Sequence, residues 1–284
     1  MRVAAVVAVI GAAVLTSTAP AFAQAKCEPN AVAKKYPSLV GKTIRVAQDG
    51  QSPPYSFRPQ NELDDLIGLD ADLVRATFAC LGLPVEFKTG QWSGMLPSVI
   101  AGQADLMWNN LYYTPARAQQ VDFVTYLLAA TGGMVRKGNP KHIHALADTC
   151  GVLAAAGLGT VEEASLRDTS EKCVAAGKQP IQIFTYQDKP SGARLLQNDR
   201  ADLMMTDSGV VGQLVSLDPN DFERAFTIKT DFKIGPGINK SMPELVQAVA
   251  DTVKLLQANG TMQDLLKKYG FDLSLMLPVE THAE

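Results

Sequence analysis

The chain has 284 residues, 46% hydrophobic and 19% charged. At about 150 residues per domain that length suggests two domains, and the composition supports a buried core and excludes a disordered chain. Its 26 Lys and Arg against 29 Asp and Glu give a net charge of −3, which offers neither the basic field of a nucleic-acid binder nor a polybasic membrane patch. Three histidines and four cysteines leave little material for a metal site, so neither a metal nor another cofactor is expected.

The first 25 residues read as an export leader. Met1-Arg2 is a short positive start, Val3 to Leu15 is uninterruptedly apolar or small, and Ala21-Phe22-Ala23-Gln24-Ala25 offers small residues at alternate positions for cleavage after Ala23 or Ala25. The apolar run is short of the roughly 20 residues a membrane span requires. Lys26 before Cys27 is unlike a lipoprotein signal, which wants a small residue there. Loss of Arg2 takes the mature charge to −4, and no later stretch is long and apolar enough to span, so no membrane insertion is expected once the leader is gone. In an oxidising compartment Cys27, Cys80, Cys150 and Cys173 suit two disulfides. Three pairings are open; the closeness of Cys150 and Cys173 favours that bridge, with Cys27–Cys80 as the other. No pair has the CxxC spacing of redox catalysis.

Along the mature chain, Thr43 to Ala47 reads as a strand, followed by the turn-rich Asp49-Gly50-Gln51-Ser52-Pro53-Pro54. Leu69, Leu73, Val74, Ala76, Phe78 and Leu81 recur at helical spacing, and Gly82 ends that helix. A strand at Pro84 to Phe87, a short helix at Met95 to Ala101, a strand at Ala104 to Trp108 and a Thr114-Pro115 helix start follow. The plan then repeats: strand Cys150 to Ala156, helix from Val161, strand Ile181 to Phe184, helix Ala193 to Gln197 and strand Ala201 to Met205. Alternating strands and helices predict α/β layers around largely parallel sheets. Two connections between the halves are expected, one near Ala130 to Val135 with a flexible Thr131-Gly132-Gly133, the other near Ala225 to Phe232. Glu244 to Tyr269 reads as helix broken at Asn259-Gly260, packing back on the first half.

One echo stands out. Gly102-Gln103-Ala104-Asp105-Leu106-Met107 resembles Asp199-Arg200-Ala201-Asp202-Leu203-Met204. Each follows a short apolar helix and runs into polar residues: Asn109-Asn110 in one case, Thr206-Asp207-Ser208 in the other. Ligands of open α/β sheets sit beyond the carboxyl ends of strands, so two such ends, one per half, would face each other across a cleft.

These segments resemble the periplasmic solute-binding proteins of ABC amino-acid importers, family 3, over about residues 40–275. The landmarks are Ile44-Arg45-Val46 leading to Pro54-Tyr55, Gly68 to Leu73, Trp92-Ser93-Gly94-Met95-Leu96-Pro97, Tyr113-Thr114-Pro115-Ala116-Arg117-Ala118 with Val121-Asp122-Phe123, Gly159-Thr160, Ala201-Asp202, and Asn259-Gly260-Thr261 before Leu266 to Gly270. The resemblance implies a two-lobed α/β periplasmic-binding fold with two mostly parallel sheets flanked by helices and joined by two hinge crossings. Lobe 1 would comprise 40–131 plus 230–284, and lobe 2 132–229. It also implies a periplasmic monomer that hands a small polar ligand to an ABC permease.

A free amino acid needs a forked cation for its carboxylate and a carboxylate for its ammonium. By resemblance, Arg117 grips the ligand carboxylate with help from the loop Asn110 to Tyr112, and Gly159-Thr160 at a helix start offer N–H donors. Asp207 holds the ammonium, and Trp92 stacks on the side chain. Ser52 stands where many members have an aromatic, with Tyr55 as a substitute or the pocket more open. Asn109, Asn110 and Tyr112 replace smaller residues, and Asp49 matches a position that touches the far end of polar ligands. Each has a plainer reading: Arg117 pairing Asp122, Asp207 and Thr160 capping helices, Trp92 in the core, Asp49 shaping a turn. Two rival functions sit beside this one, a cyclohexadienyl dehydratase-like enzyme on the same fold and a soluble sensor. Glu162 and Glu163 read as helix-start acids, and the His142-x-His144 pair as a solvated loop with too few ligands for a metal.

Overall fold

The computed structural model describes residues 26–28, 32–59 and 65–283, and the predicted leader lies outside them. After α1 (Val32–Lys35), β1 (Ile44–Gln48) runs into a small hairpin of β2 (Gln51–Ser52) and β3 (Ser56–Phe57). Then come α2 (Leu69–Leu81), β4 (Val85–Thr89), α3 (Trp92–Ile100), β5 (Leu106–Met107) and the single turn α4 (Pro115–Ala118). Helix α2 has the bounds that its period dictates. It stops because Gly82 takes the left-handed conformation, φ 67°, and returns its N–H to Phe78 and Ala79. The β4–β1–β5 strands pair in parallel.

A long strand, β6 (Val121–Arg136), leaves this half. Beyond it β7 (Leu153–Gly157), α5 (Val161–Ala175), β8 (Gln182–Tyr186), α6 (Lys189–Gln197), β9 (Leu203–Asp207) and α7 (Ser208–Leu217) build the second half, where β8–β7–β9 are again parallel. β10 (Phe222–Ile234) returns antiparallel to β6. The chain finishes with β11 (Gly237–Asn239), α8 (Pro243–Ala258), α9 (Thr261–Lys268) and β12 (Met276–His282).

The crossing at Thr131-Gly132-Gly133 differs from the flexible connection expected. Both crossings are strands, so the two parallel half-sheets join into one ten-stranded ladder, β4-β1-β5-β11-β6-β9-β7-β8, with β10 and β12 also on β6. Gly132 and Gly133 serve close approach. A Cβ on Gly133 would lie 2.6 Å from the Phe226 ring, and one on Gly132 would lie 3.0 Å from Val211 of α7. β11 and then β10 cover one edge of β6, while β12 and then β9 cover the other.

The first half has the larger core. Val74 and Phe78 of α2 pack with Val249 and Val253 of α8 and Leu266 of α9 under β1, so the C-terminal helices do return to the first half. Truncating a buried aromatic such as Phe78 costs about 3–5 kcal/mol. The second half centres on Ala154, Ala156, Leu166, Leu203 and Phe226. Both favoured disulfides are present, Cys27–Cys80 and Cys150–Cys173. The latter spans 23 residues and stabilises by about 3 kcal/mol in the chain-entropy account. Among the described residues no helix is long and apolar enough to cross a membrane.

Candidate functional site

The carboxyl ends of β5 and β9 meet across the junction of the halves. Hydrogen bonds join the two sides: Tyr112 Oη donates to Asp207 Oδ2 at 2.7 Å, Arg117 Nη2 to the Gly159 carbonyl at 3.0 Å, and Ser93 Oγ to Gln187 Oε1 at 2.8 Å. Between them lies a narrow cavity of about 20 Å³ lined by Trp92, Asn110, Tyr112, Arg117, Thr160, Val161, Glu162, Lys189, Thr206 and Asp207.

Arg117 sits in α4, whose Thr114 side chain caps the turn by accepting the Arg117 N–H. Its Nη1 donates to the Tyr112 carbonyl at 2.8 Å, and its guanidinium lies 5.4 Å from the centre of the Trp92 ring. Asp122, the plainer partner, pairs Lys240 instead. Among the described residues the Arg117 guanidinium has hydrogen bonds only to carbonyl groups and no ion pair, and burial pulls its pKa down. A half-desolvated guanidinium with only neutral acceptors favours the arrival of an anion.

Asp207 faces it from the second half and is 4% exposed. Oδ1 accepts the Gly209 and Val210 N–H groups at the start of α7, and Oδ2 takes the Tyr112 hydroxyl. The residue therefore caps a helix and also presents one oxygen to the cavity. Burial raises its pKa despite these donors, which leaves it receptive to a cation.

Of the other expected residues, Trp92, Asn110, Tyr112 and Thr160 line the cavity, while Asp49, Ser52, Tyr55, Asn109 and Gly159 do not. Asp49 behaves as the turn residue: its carboxylate accepts the Gln51 N–H at 2.9 Å and the Ser52 hydroxyl at 2.7 Å. Tyr55 packs edge-on to Phe271 and lines an adjoining groove on the far side of Asp207. Trp92 turns its ring to Arg117 and donates Nε1–H to the Asn109 carbonyl at 3.1 Å. Asn109 Oδ1 accepts the Asp49 N–H. Asn110 takes a positive φ of 47° and donates its N–H to the buried Asp70 at 2.6 Å, leaving its own Oδ1 buried and without a partner.

The expected N–H donors of Gly159 and Thr160 are already engaged. Gly159 donates to Glu163 Oε2 at 2.7 Å and Thr160 to the Gly157 carbonyl at 3.2 Å. It is the Gly159 carbonyl that faces the cleft, because φ 75° turns its peptide outward from the helix. The Thr160 hydroxyl caps α5 by accepting the Glu163 N–H.

The sequence reading missed Val161, Glu162, Lys189 and Thr206. Glu162 is 5% exposed, and burial raises its pKa. Lys189 opens α6 at the carboxyl end of β8, and Thr206 precedes Asp207 on β9. The strand-end rule applied to β8 as well as β5 and β9 would have found Lys189.

Comparison with known proteins identifies the family. The family described as bacterial extracellular solute-binding proteins, family 3, matches residues 44–272. The chain is similar to the L-cystine-binding protein TcyJ of Escherichia coli strain K12, 27% identical over 234 residues that cover 82% of this chain and 84% of that one. It is similar to the structure of an ancestral arginine-binding protein bound to arginine, with TM-score 0.73 and 26% identity over 80% of this chain and 97% of that one. It is also similar to an ancestral amino acid-binding protein described as a precursor of cyclohexadienyl dehydratase, with TM-score 0.70 and 27% identity over 85% and 98% of the two chains.

Proposed function

The chain belongs to the bacterial extracellular solute-binding proteins, family 3, and from that premise we propose that it captures a polar amino acid or related small zwitterion between its lobes. It would then deliver that solute, in the periplasm, to the permease of an ABC importer. The lobes of this reading are 40–131 with 230–284, and 132–229. The observation that carries it is the opposition of Arg117, which has no ion pair among the described residues, and Asp207, across a cavity lined from both halves.

The internal contacts suggest where ligand groups go. A ligand carboxylate replaces the Gly159 carbonyl on Arg117, and a ligand ammonium replaces the Tyr112 hydroxyl on Asp207. Charge-assisted bonds are stronger than the neutral contacts they displace. Only a solute that carries both charges satisfies both lobes at once, so binding favours the closed arrangement. The antiparallel β6–β10 pair supplies a bendable crossing; its register is irregular between Lys229 and Lys233.

The test is calorimetry with a panel of amino acids, on the wild type and on Arg117→Lys. A point-like ammonium cannot reproduce the planar fork, so affinity for whichever amino acid binds should fall about 100-fold or more. Unchanged affinity removes Arg117 from the carboxylate role.

One observation favours a second reading: Glu162 is a cavity acid that burial holds toward its protonated form, as a dehydratase on this scaffold would need. Conversion of prephenate or arogenate by the wild type, lost in Glu162→Gln, would establish that reading; no turnover leaves binding alone.

A further inference from the structure

Lys189 is a buried lysine whose ammonium is without a hydrogen-bond or ion-pair partner among the described residues. It is 8% exposed, at the first turn of α6, and lines the same cavity as Arg117. Among the described residues neither a hydrogen bond nor an ion pair engages its ammonium, whereas Lys172, Lys240 and Lys268 each pair with a carboxylate. Asp49 and Glu162 feel its charge but neither stands within ion-pair distance. Asp49 is in any case taken up by the Gln51 N–H and the Ser52 hydroxyl. An ammonium that lines a cavity without an acceptor favours the arrival of an anion, and a cavity lined by two such cations suits a solute with two anions.

We infer, building on the amino-acid reading above, that Lys189 determines specificity by holding a second carboxylate of the ligand while Arg117 holds the first. The second carboxylate can belong to an acidic side chain or to a second amino-acid head on the same molecule. Glu162 separates these two sources. It lines the cavity, where the Thr131 hydroxyl lies 3.4 Å from its Oε1 and Thr160 and its own N–H also reach it, and among the described residues no cation forms an ion pair with it. A second ammonium would pair with it; a plain acidic side chain would not.

The experiment uses two pairs of probes that differ in that one group: glutamate against glutamine, and 2,6-diaminopimelate against lysine. Calorimetry on the wild type should show the member with the second carboxylate binding about tenfold tighter or more in at least one pair. Lys189→Met should bring that ratio to within about threefold, and Lys189→Arg should retain most of it. Melting temperatures of the variants check folding, and the wild-type ratio decides the matter should Lys189→Met not fold. Selective weakening of diaminopimelate in Glu162→Gln assigns the two-headed class, and preserved binding assigns the acidic side chain. The inference is overturned if both pairs favour the member lacking the second carboxylate, or if Lys189→Met leaves the ratio unchanged. Binding of none of the four probes, or of any other amino acid, overturns the amino-acid reading itself, and this inference with it.

Discussion

The helix–turn–strand unit ending in β5 and the one ending in β9 share a scaffold down to single hydrogen bonds. In the first, Gly102 takes φ 71°, Gln103 and Ala104 return their N–H groups to Ser98, and Asp105 donates its N–H to the Arg45 carbonyl. In the second, Asp199 takes φ 57°, Arg200 and Ala201 return theirs to Leu195, and Asp202 donates to the Leu153 carbonyl. Each aspartate then accepts the N–H at or beside the start of the neighbouring parallel strand, Asp105 from Arg45 at 2.7 Å and Asp202 from Leu153 at 2.9 Å. The repeated Ala-Asp-Leu-Met is thus a device for pinning adjacent strands. The units part only after the strand ends. One continues into amides and, seven residues beyond Asn110, a guanidinium; the other terminates in a carboxylate. The same support carries opposite charge to the two sides of one cavity.

The sharpest break of that symmetry is at Asp207. Asp207→Ala removes both the ammonium partner and the cap of α7, so amino-acid binding should disappear from calorimetric titrations. Urea unfolding should show about 0.5–2 kcal/mol of lost stability. Binding retained in this variant points to a ligand without an ammonium. Next come the two pinning aspartates. Asp105→Ala and Asp202→Ala each strip a backbone donor of its acceptor, for about 1–3 kcal/mol. Asp105 should lose the more because it also holds the Arg45 guanidinium at 2.6 Å. That pair is partly exposed and adds little, so equal losses would mean that the ion pair is silent, and a loss at one site alone would mean that the units are not equivalent.

A pH-dependent effect concerns Asp70, which supports only the first unit. It is fully buried, accepts the Asn110 N–H and the Tyr126 hydroxyl, and burial raises it from its ordinary 3.8 to about 7. The folded protein therefore holds that proton more tightly than the unfolded chain does. The associated stabilisation is complete below pH 3.8 and fades as the pH climbs through about 7. Relative to Asp70→Asn, the wild type should lose up to about 1.4 kcal/mol per pH unit across that window and nothing more above it. A series of urea melts at stepped pH measures the slope, and a flat difference would show Asp70 ionised throughout.

Helix α2 and the strands β1, β7 and β9 were legible because period, glycine punctuation and strand length agree there. β6 was not. Val121 to Arg136 is buried along nearly its whole length, so it shows no alternation, and its paired glycines imitate a flexible joint when they in fact admit Phe226 and Val211. At the site, Arg117 and Asp207 were legible through their motif positions. Asp49 was less so, because the same carboxylate suits a ligand or a turn, and here local donors reach it first. Lys189 was hidden because a lysine before Pro190 at a helix start reads as a solvated charge, and only the folded chain brings it to the cavity that Arg117 lines.

The terminal strand β12 has a consequence of a different kind. Strand pairing is open to any chain that presents a free backbone, and sheet borders left bare invite a neighbouring molecule. β9 reaches only as far as Thr131 along its side of β6, and β12 occupies the stretch from Phe123 to Leu127 on that side. Its last residues are fastened by His282 stacking on Tyr113 with ring centres 4.2 Å apart. The segment that follows α9 thus keeps the central strand from becoming a template for self-association, and a chain shortened before Met276 would trade a closed sheet for an adhesive one.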